Sequence, residues 1–265
     1  MLREAIAALT TPATRHARRL GYVHEGIAIE ARFRRCYTDW DPHIGRCQRT
    51  ILSIAADCPQ KGRVAVLGSG PLCDIPLPDL AGMFHEVLLI DIFHPPRARA
   101  LARRFANVRL VDHDLLGFEG RGPGPGHNPA ITLAAWRKKV GAVDLTISAN
   151  LLAQLPLVPG KAWNDEGLRR RGLDPKTWAD RIMQAHVDDL RNGPGRSCLI
   201  SEWRRRWYDS DLHLIEATDP LSGLALPPPR ESWSWMVAPP GELPGGASLS
   251  VEVGRFDLSD PLSAG

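Results

Sequence analysis

The chain of 265 residues is 43% hydrophobic and 24% charged, which fits one large or two small globular domains and excludes a wholly disordered polypeptide. No run of about 18 apolar residues exists to cross a bilayer, and the apolar stretch from Ala5 to Leu9 is too short for a secretory leader. A net charge of +3 makes no demand for a nucleic acid or membrane partner, and five scattered cysteines point to a reducing, cytoplasmic setting rather than a disulfide framework.

Residues 1–60 read as helical. Leu2, Ile6 and Leu9 share one face, and Ile29, Phe33 and Cys36/Tyr37 recur at helical spacing. Asp41-Pro42 has the form of an N-cap followed by proline at the first helical position. Behind it Ile44, Cys47, Ile51, Ile54 and Cys58 form an apolar stripe that Pro59 ends. Cys36, Cys47 and Cys58 recur every eleven residues around His43, which raises a metal site. Pro42 interrupts the helix and no CxxC pair is present, so these are assigned as small buried residues and no metal is expected.

From residue 61 the pattern changes. Val64–Leu67, Val87–Ile90, Val108–Val111, Val143–Ser148 and Ser197–Ser201 are short apolar runs without alternation. The first three are separated by helix-like stretches such as Ala98, Leu101, Ala102 and Phe105. Such runs predict buried parallel strands of a doubly wound α/β sheet. The segment Gly120–Pro129 is a loop, a helix carries Trp136, and Asp174-Pro175 caps an amphipathic helix with Trp178, Ile182, Ala185 and Leu190. Trp233–Val237 and Ser248–Phe256 predict an antiparallel hairpin at one edge. The expectation is a mostly parallel seven-stranded sheet with an antiparallel C-terminal hairpin, residues 61–265, preceded by an N-terminal helical cap, residues 1–60.

The chemistry is expected after the first strand. Ligands of such sheets bind beyond the carboxyl ends of the strands, where the strand order reverses. Gly68 and Gly70 allow close backbone approach. Asp91 ends the second strand 23 positions after Gly68, where a carboxylate accepts hydrogen bonds from ribose hydroxyls. Asp114, after the third strand, falls beside an adenine edge. A dinucleotide site wants a third glycine for close helix–strand packing; Cys73 stands there instead, with Pro76 and Pro78 in the following helix.

In these pieces the sequence resembles the class I S-adenosylmethionine-dependent methyltransferases, over roughly residues 60–205. Val64-Ala65-Val66-Leu67-Gly68-Ser69-Gly70 is similar to the family's first motif. Val87–Asp91 looks like the ribose-binding strand end, and His113-Asp114-Leu115 the adenine segment. Val143–Leu152 resembles the fourth-strand motif. The resemblance implies S-adenosyl-L-methionine as cofactor, with Gly68, Ser69, Gly70, Pro71, Asp91, Ile92, His113, Asp114, Asn150 and Leu151 around it. It implies methyl transfer to a small molecule or to a peptide or protein side chain. Ala149-Asn150-Leu151-Leu152 is not the Asn/Asp-Pro-Pro-aromatic sequence of nucleic acid amino-methylating enzymes, which disfavours nucleic acid acceptors. The Arg clusters at 169–171 and 204–206 read as solvated faces. Acceptor-site candidates are Tyr37, Trp40 and His43 in the cap, Glu202, Trp203, Trp207 and Tyr208 after the fifth strand, and Trp233 and Trp235 in the hairpin, with His43 and Glu202 as candidate bases. His94, near Asp91, is read as structural as readily as functional. Val66 stands where the family usually carries an acidic residue. A non-catalytic adenosyl-ligand-binding protein is therefore the alternative, and an NAD(P)-dependent oxidoreductase a further one that Cys73 disfavours.

Overall fold

The computed structural model describes residues 2–118, 122–221 and 223–259. Gly120 and Arg121 of the expected Gly/Pro loop, and the side chain of Leu2, lie outside the described residues.

The apolar runs become strands β1 (Arg63–Leu67), β2 (Glu86–Asp91), β3 (Val108–Asp112), β4 (Leu145–Ala149) and β5 (Arg196–Tyr208), all parallel to one another. After them come β6 (Leu214–Thr218), β7 (Glu231–Ala238) and β8 (Ser248–Phe256). The spatial order is β3-β2-β1-β4-β5-β8-β7, so the order reverses between β1 and β4. The last strand, β8, lies between β5 and β7 and is antiparallel to both.

Because alternate residues point to opposite faces, β1 feeds two cores with one pentapeptide. Val64 and Val66 face the fourth helix, α4 (Tyr37–Ala56), together with α5 (Leu77–Met83) and α6 (Pro96–Ala102); there Cys47, Ile51, Ile54 and Cys58 meet Val87 and Leu89. Ala65 and Leu67 face α7 (Pro129–Val140) and α9 (Pro175–Asn192), which bring Leu133, Trp136, Ile182 and Leu190 against Leu88 and Ile90. Both α7 and α9 open with a side-chain cap and proline in the first turn: Asn128 accepts from the Ala130 N–H, and Asp174 from the Thr177 N–H. Between them runs α8 (Leu157–Arg170). The short helices α1 (Leu2–Thr10), α2 (Arg15–Arg19) and α3 (Tyr22–Arg35) form a separate cluster, in which Ala17, Val23 and Ile27 pack on Phe93 just past the end of β2. Among the described residues no helix is long and apolar enough to cross a membrane.

Three sequence expectations need correction. The sheet has eight strands; β6 is exposed at every position and offers no apolar signal. The fifth strand runs seven residues past its expected end at Ser201, to Tyr208, because its charged half is paired on both sides, by β8 and by β6. Arg205 and Arg206 there are held by Glu202 and Glu252. Finally, Pro42 neither starts nor breaks a helix: α4 begins at Tyr37 and passes through it. In the second turn the missing N–H forfeits a single bond, to Thr38. Trp40, whose Nε1 donates to the Val237 carbonyl at 3.1 Å, anchors the first turn against β7.

Candidate functional site

Beyond the carboxyl ends of β1 and β4 two cavities meet at Gly68. The turn that separates them is built from left-handed residues, Gly68 at φ 60° and Gly70 at φ 50°, followed by Leu72 at φ 57°. A β-carbon on Gly68 would lie 2.5 Å from the Leu151 Cδ1. Gly68→Ala is therefore expected to lose about 1–3 kcal/mol from backbone strain and displacement of Leu151, read as a lower thermal midpoint.

On one side, the wall is Tyr22, Asp91, Ile92, His113, Asp114 and Leu151. Five of these six are sequence-predicted. Asp91 takes the Gly70 N–H on Oδ2 at 2.8 Å and the Ile92 N–H on Oδ1 at 2.7 Å, so one carboxylate fixes the glycine turn to the end of β2. Burial pushes its pKa up to about 6 against the pull of these N–H donors. Asp114 accepts from the N–H groups of Leu116 and Phe118 and lies 3.1 Å from His16 Nε2. The N-terminal helices thus touch the Asp114 carboxylate directly. Tyr22, which the sequence reading missed, has its hydroxyl pKa raised by burial and by the two carboxylates.

On the other side, the glycine turn faces Trp40, His43, Asp74, Asn150 and Trp235, with Ser69, Pro71 and Cys73 beside it. Trp235 stacks on the His43 ring at 3.9 Å and 5°, and meets Trp40 edge-on at 4.9 Å. Trp233 donates its Nε1–H to His43 Nδ1 at 3.0 Å. Asn150 holds a positive φ of 53°, a strained conformation for a residue with a side chain and one common at functional turns. Its strand is tied down by Ser148, whose hydroxyl lies 2.9 Å from His186 Nε2 on α9. Ser69 Oγ is buried without a partner in the protein.

The structure gathers Trp40, His43, Trp233 and Trp235 from the acceptor candidates and leaves the others aside. Tyr37 is exposed. Glu202 is held by Arg205 at 2.5 and 3.0 Å, and Trp203 packs against the other core. Trp207 and Tyr208 lie in the β5 extension that β6 covers. As a base His43 is weak, with burial pushing its pKa down to about 3. His94 is fully buried, 3.4 Å from Asp112, and lines neither cavity. Asp74, six residues beyond Gly68 in an irregular turn, is the main residue missed; no periodicity marks it.

No family model and no curated protein matches the chain. Among solved structures it is similar to the N-methyltransferase NodS of Bradyrhizobium japonicum WM9, solved with S-adenosyl-L-homocysteine, at 13% identity over 82% of this chain and 87% of that one, TM-score 0.39. It is also similar to the 1,6-didemethyltoxoflavin-N1-methyltransferase of Burkholderia thailandensis, at 14% identity over 88% and 90%, TM-score 0.39. A third is phosphoethanolamine N-methyltransferase 1 of Haemonchus contortus, at 12% identity over 89% and 51%, TM-score 0.33. At these values the likeness carries no weight for activity, and the Rossmann-like α/β assignment stands on strand order and direction.

Proposed function

We propose that the chain is an S-adenosylmethionine-dependent methyltransferase acting on a small molecule or a peptide or protein side chain. The observation that carries this reading is the pair of cavities joined at Gly68. One has carboxylates placed for an adenosine; the other is a cage of aromatic rings and amides. The residues fit the cofactor: Asp91 for the ribose hydroxyls, His113 and Asp114 for the adenine edge, Ile92 and Leu151 as apolar walls. Gly68, Gly70 and Pro71 give backbone access, and the partnerless Ser69 hydroxyl suits the amino acid end. S-adenosyl-L-methionine supplies an electrophilic methyl group on a sulfonium. The chain's own task is to hold an acceptor lone pair in line and to exclude water, which positioning alone accelerates strongly. His16 and Tyr22 make α2 and α3 a cover over the adenosine side.

Thermal shift tests the reading. A ligand at about 100 times its dissociation constant stabilises by about 2.7 kcal/mol, about 5–10 °C for a chain of this size. S-adenosylmethionine and S-adenosylhomocysteine are expected to give this shift and NAD none. A shift with NAD alone favours an oxidoreductase, and adenosyl binding without turnover favours the non-catalytic alternative. Nucleic acid and membrane partners are not part of this reading, and the chain's five free thiols support a reducing, cytoplasmic setting.

Asp91 also sets a pH dependence. Its carboxyl is held at about 6 in the folded chain, above the unfolded value, so the group favours folding at low pH and loses that contribution as pH rises through 6. A ribose needs the ionised form, so affinity for S-adenosylhomocysteine runs the other way. It is expected to fall about tenfold per unit below this pKa, with one proton released on binding, and to level off above it. Asp112 is the charged neighbour that adds to the shift. Calorimetric titration one unit either side checks this; pH-independent affinity would place the ribose elsewhere.

A further inference from the structure

His43, Cys47 and Asp74 bring an imidazole, a thiol and a carboxylate within 4.8 Å of one another, a set that would suit zinc. Hydrogen-bond polarity argues otherwise. A ligating imidazole carries its proton on the nitrogen away from the metal and donates it. Here Trp233, whose indole is a donor only, points its N–H at His43 Nδ1 from 3.0 Å. Nδ1 therefore holds the lone pair, and in the neutral ring Nε2 carries the proton.

That proton fixes the next link. Nε2 faces the Asn150 side-chain amide at 3.1 Å. The Cys47 sulfur does not serve as its partner: it lies 3.8 Å from Nδ1 and 3.5 Å from Nε2, beside the ring between the two nitrogens and off the line of the N–H. An N–H needs an acceptor, so the Asn150 oxygen belongs in the position facing His43, an exchange of amide O and N that rests on the network rather than on atom shape. The same atom lies 2.7 Å from Asp74 Oδ2. Two oxygens at that distance require a hydrogen between them, and only Asp74 can supply it. The amide nitrogen then takes the place whose atom is buried without a partner.

We infer that Trp233, His43 and Asn150 hold Asp74 as a neutral carboxylic acid, so that the cavity takes an uncharged planar acceptor with a lone-pair oxygen or nitrogen for the Asn150 NH2, and rejects an ammonium. The titratable groups facing Asp74 are the Cys47 and Cys73 thiols and His43. Removal from water favours the neutral form of each: it raises the Asp74 carboxyl and both thiols, and pushes His43 the other way. Trp40, His43 and Trp235 line the cavity, so a ligand there meets an aromatic wall. As a statement about a methyl acceptor this rests on the proposed function; as a statement about protons it does not.

Two measurements on the full chain test it. NMR of the labelled protein at neutral pH is expected to show the Asp74 carboxyl carbon in its protonated position and His43 as the Nε2–H tautomer. An ionised Asp74, or an Nδ1–H tautomer, overturns the assignment. In Trp233→Phe the constraint on Nδ1 is gone, and Asp74 is expected to titrate at lower pH than in the wild type; an unchanged titration overturns the coupling. Should Trp233→Phe fold poorly, His43→Gln breaks the same chain at its next link and is expected to shift the titration likewise. Benzamide and the benzamidinium cation are isosteric probes of the cavity. Benzamide is expected to bind about tenfold tighter, read from the Trp40 and Trp235 indole resonances; equal binding, preference for the cation or binding of neither overturns the ligand class. None of these readouts needs S-adenosylmethionine, so a failed cofactor test leaves them standing and they can fail while it succeeds.

Discussion

Asp91→Ala is expected to weaken S-adenosylhomocysteine binding by about 10²–10⁴-fold, measured by calorimetry against a circular dichroism control for folding. Two hydrogen bonds from ribose hydroxyls to a carboxylate are worth about 1.5–3 kcal/mol each, which gives that range. A second loss adds to it. The carboxylate's other work is to accept from the Gly70 and Ile92 N–H groups at 2.8 and 2.7 Å, so the alanine variant also frees the turn that a ligand's amino acid end would meet. Asp91→Asn separates the two roles: it keeps the side chain's size and one acceptor oxygen, and is expected to bind more tightly than Asp91→Ala and to lose the pH dependence below 6. Wild-type affinity in both variants would mean that the adenosine lies elsewhere.

Asp189→Ala is expected to cost about 3–5 kcal/mol of stability, because it strips the partner from a charge that is mostly out of water. Asp189 is 6% exposed and Arg137 15%. Its carboxylate takes the Arg137 Nε–H at 2.9 Å and the Nε1–H of Trp136 at 3.3 Å, joining α9 to α7. At about 2–4 °C per kcal/mol for a chain of this size, the thermal midpoint falls by about 6–20 °C. Replacing both partners, Arg137→Leu with Asp189→Leu, removes the charges along with the need to pair them and is expected to cost less than Asp189→Ala. The reverse ranking would show that the pair contributes through something other than desolvated charge. The effect reaches the site, since α9 also carries His186, the partner of Ser148 two residues before Asn150.

What the sequence disclosed follows from where the physics is local. The central strands are legible because a strand buried on both faces must be apolar at every position, as Val64–Leu67 and Val87–Ile90 are. Glycines in left-handed turns and a carboxylate at a strand end leave equally local marks, so Gly68, Gly70 and Asp91 are found in advance. Tyr22 and Asp74 leave none. Tyr22 reaches the cavity of Asp91 and Asp114 only because α3 packs on Phe93 just past the end of β2, and Asp74 stands in an irregular turn where neither period applies. His43 and Cys47 show the helical spacing of four that any core stripe shows, and Pro42 argued against extending their helix back to Tyr37. Tertiary packing of Trp40 on β7 overrode that local penalty. The strand β6 is silent for the opposite reason: all its residues are exposed, and only hydrogen bonds to β5 define it.

The strand order has a consequence for biosynthesis. Because β8 lies between β5 and β7, β7 emerges from the ribosome before its own partner strand. It must wait for residues 248–256 before it has a partner. Until then β5 presents an open edge along its buried half, Cys198–Ser201, of the kind that recruits strands from other molecules. A chain interrupted between β7 and β8 is therefore expected to aggregate rather than form a trimmed version of the fold, even though its five parallel strands are all present.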